Sequence, residues 1–139
     1  MDCRHDGKLT DALREAAGVD HHFYHITRAG GAGVFSKSFT ERAPGVLFET
    51  KAALEHLGAE EVFITVHGSG EHDEKGCGGY ALCGHGAVYE TPETSREFSH
   101  GELKTVAGRL QEEGITVPIR AFNVTFGPAG ENLVEEVPV

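Results

Sequence analysis

The chain has 139 residues and a formal net charge of −10, from 12 basic and 22 acidic side chains; that length suffices for one domain with its own core. Such a charge repels phosphate backbones, and no basic stripe with interleaved aromatics is present, which excludes nucleic acid as a partner. No run approaches the ~20 apolar residues of a membrane helix, and the opening Met1-Asp2-Cys3-Arg4-His5-Asp6 has no apolar h-region, so the expectation is a cytoplasmic protein without a membrane partner.

No repeat, low-complexity tract or linker divides the chain, and residues 1–139 read as a single domain. Thr10 followed by Asp11, Leu13 and Ala16, with Gly18 beyond them, predicts a short helix capped at both ends. Phe23-Tyr24-His25-Ile26-Thr27 is a candidate strand that runs into the glycine-rich loop Ala29-Gly30-Gly31-Ala32-Gly33. Pro44-Gly45 opens a second helix, with Leu47, Leu54 and Leu57 on one face beside Val46 and Ala53. Glu49, Lys51 and Glu55 are placed toward water, and Gly58 ends it. The strand Val62 to Val66 follows. Thr91-Pro92 starts a helix, with proline at its first position. A second start is expected at Ser99, where Glu102 has capping-box spacing. Leu103, Val106, Ala107 and Leu110 form a buried stripe that Gly114 stops. Thr116 to Phe126 is strand-like, with Phe122, Val124 and Phe126 on one face, and the turn Gly127-Pro128-Ala129-Gly130 leads to a last strand near Leu133 to Val137. The order predicts an α/β fold: a mainly parallel central sheet flanked by helices, with a C-terminal antiparallel hairpin.

In such sheets ligands sit at the carboxyl ends of strands, and His67 stands there. Cys77 follows ten residues on, across the glycine-rich segment Gly68-Ser69-Gly70 to Gly76. Zinc takes both imidazole nitrogen and thiolate sulfur, and three cysteines, an odd count, favour free thiols or metal ligation over a disulfide framework. The plainer reading of His67 is a strand-end histidine bonded to a backbone carbonyl, and of Cys77 a small buried apolar side chain. Cys77, Cys83 and His85 form Cys-x5-Cys-x-His, whose spacing exceeds the usual two to four residues of a structural zinc site. The loop at Gly30 lacks both a P-loop Lys-Ser/Thr pair and Gly-x-Gly-x-x-Gly, so a tight turn accounts for it better than phosphate binding. Glu71, Asp73 and Glu74 read as a solvated acidic loop.

Three segments, in this order, resemble the β-class carbonic anhydrases. Met1-Asp2-Cys3-Arg4 is similar to the tail of that family's Cys-Met-Asp-x-Arg, Ile26-Thr27-Arg28-Ala29-Gly30-Gly31 is similar to its Ala-Gly loop, and His67 with Cys77 to its His-x-x-Cys-Gly. Residues 47–57 resemble the helix before the histidine strand, and the terminal strand pair fits the family's ending. The likeness spans most of the chain; the motifs are short, and their order carries it.

Two departures stand out. The family's first zinc cysteine would fall one residue before Met1, with the first strand upstream of it or missing; alternatively that ligand is lost, or Cys3 replaces it. Nine residues separate His67 from Cys77 where the family has two, and this insertion contains His72, an alternative ligand to His67. The resemblance implies a zinc site that hydrates CO2 to bicarbonate, with Asp2 and Arg4 as the catalytic pair: Asp2 either takes the fourth zinc position or pairs with Arg4 and frees it for water. It implies a homodimer or higher homo-oligomer as well. Hydrolysis of carbonyl sulfide or carbon disulfide, or a non-catalytic metal-binding or interaction domain of this fold, are the alternatives.

Overall fold

The computed structural model describes residues 7–20, 22–26, 43–68 and 91–139. The described elements run α1 (Gly7–Ala17), α2 (Ala43–Leu57), β1 (Val62–His67), α3 (Pro92–Glu112), β2 (Ile119–Phe126) and β3 (Asn132–Val137). The strands lie in the order β1-β2-β3. β1 and β2 are parallel, with Val62 opposite Ile119 and His67 opposite Val124. β2 and β3 are antiparallel, with Ala121 opposite Val137 and Phe126 opposite Asn132. The fold is α/β with a small mixed sheet, one parallel and one antiparallel pair among the described residues. The expected hairpin is present.

Alternation along the strands sorts the core onto two faces. On one, Val62, Ile64, Val66, Ala121 and Val137 pack against Leu103, Val106, Ala107 and Leu110 of α3 and Val46 of α2. On the other, Phe122 and Val124 pack against Leu9 and Leu13 of α1, with Phe23, Phe63 and Val134 around them. A three-layer arrangement follows, with β1 and β2 each buried from both sides.

Several elements depart from the sequence reading. Thr10 lies inside α1, because Leu9, one helical turn before Leu13, is also buried and draws the helix start back to Gly7. Residues 22–26 are irregular; Phe23 is held through its ring, centroid 5.2 Å from that of Phe63, and by the Arg14 guanidinium above it. In α2 the buried stripe is Val46, Thr50 and Ala53, whereas Leu57 is 63% exposed. Thr50 fits because its hydroxyl donates to the Val46 carbonyl at 2.8 Å. Ser99 starts no helix: it is buried in the middle of α3 and continues the stripe that Leu103 and Val106 extend.

The start at Thr91 is observed. Its hydroxyl accepts from the Thr94 backbone N–H at 3.2 Å, Thr94 Oγ1 accepts from the Thr91 N–H at 3.4 Å, and Pro92 occupies the first turn. Gly18, Gly58 and Gly114 follow the three helices with φ of 68°, 66° and 90°, a backbone conformation that L side chains rarely adopt.

Candidate functional site

The carboxyl ends of β1 and β2 lie side by side, which is where an α/β sheet offers a ligand site. His67 is the last residue of β1 and half-buried. Its place opposite Val124 puts it on the α1 face of the sheet, in the same alternation as Phe63 and Thr65. Its Nδ1 is buried and has no hydrogen-bond partner among the described residues. Among the described residues no backbone carbonyl takes that nitrogen.

Two further side chains show the same property. Ser95, in the second turn of α3, has a fully buried hydroxyl without a partner, and Asn123, one residue before the position opposite His67, has an unpartnered carboxamide oxygen. Asn123 stands opposite Val66 and therefore on the α3 face. The unpartnered buried side-chain atoms of the described residues belong to these three residues, which flank one end of the sheet. Unsatisfied buried polar groups are costly and uncommon; here they fall on both faces of one end of the sheet, His67 on the α1 side and Asn123 and Ser95 on the α3 side. Sequence reasoning missed Ser95 and Asn123. The available signal was that Ser95 and Ser99 stand eight and four residues before Leu103, on the helix stripe that faces the sheet.

Beside the site, Arg96 and His100 of α3 both bind Glu135 of β3, the residue opposite Asn123. Arg96 Nε donates at 3.1 Å and its Nη2 to the other carboxylate oxygen; His100 Nε2 lies 3.2 Å away. The Arg96 hydrogen bonds chiefly, helped by His100, hold the Glu135 carboxyl below its ordinary range against an opposing effect of burial.

The other expected site residues, Asp2, Cys3, Arg4, His72 and Cys77, lie outside the described residues, as do the loop at Gly30 and Cys83 with His85. Among the described residues no three His, Cys, Asp or Glu side chains gather as a metal-binding group. His67 fits a metal on one observation: it offers a buried ring nitrogen that no described protein group has claimed. A cavity of about 900 Å³ is walled by α1, residues 22–26, α2 and β1 as far as Thr65, with His22, His25, Glu60 and Glu61 among its lining. His67, Ser95 and Asn123 do not line it. The cavity lining is largely apolar, and neither it nor the strand ends gathers a metal-binding group among the described residues.

No family model, curated protein or solved structure matches the chain. No helix among the described residues is long and apolar enough to cross a membrane.

Proposed function

We propose that the chain is a divergent β-carbonic-anhydrase-like zinc protein that hydrates CO2 to bicarbonate. The observation that carries the reading is the buried, unpartnered Nδ1 of His67 at the carboxyl end of a parallel strand. A ligating histidine needs one ring nitrogen free of protein partners, and metal-binding histidines normally have their other nitrogen oriented by a second group. The α/β layering and the parallel β1–β2 pair agree with the reading, as does the order of sequence motifs. In this proposal Cys77 is the second ligand, and Cys3 or His72 completes the set; His72 is also the alternative to His67.

A zinc held by these residues would lower the pKa of a bound water toward about 7 and so supply hydroxide for attack on CO2 at neutral pH. Asp2, kept ionised beside the Arg4 guanidinium, accepts a hydrogen bond from the reacting group and gates access to the metal position. The apolar side chains of Val66 and Val124 exclude water from beneath the strand ends. A cytoplasmic homodimer is part of the proposal.

The test is zinc content by elemental mass spectrometry together with stopped-flow CO2 hydration. The expected result is about one zinc per chain, with turnover lost in both His67→Ala and Cys77→Ser. A chain that takes no zinc when it is offered contradicts the proposal. Zinc without turnover leaves a metal-binding domain.

A further inference from the structure

The hydroxyl of Ser95 is fully buried and without a partner among the described residues, for a local reason. A helical serine usually bonds back to the carbonyl four residues upstream. Here that carbonyl, on Thr91, already accepts from the Ser95 N–H at 3.1 Å and from Thr94 Oγ1 at 3.1 Å. The hydroxyl therefore packs against the residue that follows His67. A Cβ built on Gly68 would lie 2.5 Å from Ser95 Oγ and 3.1 Å from Ser99 Oγ. The first distance is one that real Cβ atoms essentially never show.

The backbones on both sides of this contact are held in place. Near the contact the α3 helix is held by Leu103 and Val106, both fully buried. Gly68 is held by its own N–H, which donates to the Val124 carbonyl at 3.1 Å and continues the β1–β2 ladder past His67. The backbone at the end of β1 is thus gripped between β2 and α3.

We infer that Gly68 and Ser95 form a seat that fixes the end of β1 and so aims the imidazole of His67, Ser95 acting as a positioning residue. The inference rests on the reading of His67 as a metal ligand. Gly68→Ala overfills the seat and displaces the backbone beside His67; Ser95→Ala leaves it loose. The double variant moves one heavy atom from the helix side to the strand side of the same contact: the Ser95 Cβ would lie 3.7 Å from the new methyl, an ordinary contact, and the Ser99 hydroxyl at 3.1 Å has only to give by a few tenths of an ångström.

The experiment is a Co²⁺ titration of the full chain, read by the cobalt absorption bands, for wild type, both single variants and the double variant, with Tm measured alongside. Gly68→Ala is expected to weaken Co²⁺ on the order of 10–100-fold, the range found when groups supporting a metal ligand are changed. Ser95→Ala is expected to weaken it less, and the double variant to recover it. Leu110→Ala is the control for general destabilisation: it lowers Tm and keeps the affinity. Wild-type affinity in Gly68→Ala, losses that simply add in the double variant, or an equal loss in Leu110→Ala would each overturn the inference. Should Gly68→Ala fail to fold, Ser95→Val fills the seat from the helix side, and unchanged affinity there overturns it equally. If the wild type binds no Co²⁺, the metal reading itself fails, and the seat is judged by NMR of the His67 ring. Its resonances are expected to shift in the single variants and return in the double variant; resonances that do not move refute the seat as well.

Discussion

Arg120 of β2 ties β3 and the end of α1 to the sheet through one guanidinium. Its Nε and Nη2 donate to the two oxygens of Glu136 at 2.7 and 2.8 Å, and its Nη1 donates to the Ala17 carbonyl at the end of α1 at 3.0 Å. The guanidinium also lies over the rings of Phe63 and Phe122, 5.3 and 5.6 Å from their centroids. The hydrogen bonds to Glu136 raise the Arg120 pKa and lower that of Glu136. A lysine cannot reproduce a planar fork that serves a carboxylate and a carbonyl together. Arg120→Lys is therefore expected to cost about 1–3 kcal/mol in urea unfolding; an unchanged midpoint would contradict this account. Glu135 gives a pH prediction. Its folded pKa is depressed, chiefly by the Arg96 hydrogen bonds, so its contribution is fully present above the unfolded glutamate pKa of about 4.3 and is lost as pH falls through the lower folded value. Glu135→Gln should flatten that part of the acid limb of Tm against pH and leave the limb above it parallel to wild type. Neither ion pair was legible in the sequence, where Arg96 and Glu135 stand 39 residues apart and each reads as ordinary solvated charge.

At the scale of elements, legibility followed how completely a local pattern determines its own environment. The Thr91-Pro92 start and the Leu103, Val106, Ala107 and Leu110 stripe were readable, because a cap and a helical period need no distant partner. The false start at Ser99 came from the same rule: Ser-x-x-Glu marks a cap only when the serine is free to leave the helix, and this one is buried against the end of β1. Residues 23–27 misled in the opposite direction. Their aromatic and β-branched composition suits a strand, yet the described part is anchored by ring contacts of Phe23 without a place in the sheet. Two substitutions separate the contributions within α3. Leu110→Ala empties a fully buried position and is expected to cost about 2–5 kcal/mol. Thr91→Ala removes the cap and is expected to cost ~1 kcal/mol. Calorimetry or urea titration ranks them, and a larger loss at Thr91 would mean that the start of the helix, and not its packing, holds α3 in place.

For the whole molecule, the question is whether the fold depends on the metal proposed for it. The apolar cores on the two faces of the sheet are built from side chains of α1, α2, α3 and the strands, and His67 lies at their edge, partly exposed. Burial on both faces of β1 and β2 stabilises the sheet without a contribution from any ligating group, unlike small zinc domains, in which the metal replaces a core. The chain stripped by a chelator is therefore expected to keep its circular dichroism spectrum and a cooperative melt. Metal would act by mass action on the native state alone: at free zinc a hundred times Kd the gain is ~2.7 kcal/mol, which for a chain of this length raises Tm by roughly 5–10 °C. His67→Ala should melt with the metal-free wild type and show no rise when zinc is added, because the substitution removes a proposed ligand and leaves both cores intact. A chelated chain that unfolds would show that the metal is structural and that the two cores cannot stand without it. A zinc-dependent rise that survives in His67→Ala would move the ligand role to His72, whose place in the insertion gives zinc the nearest other imidazole before Cys77.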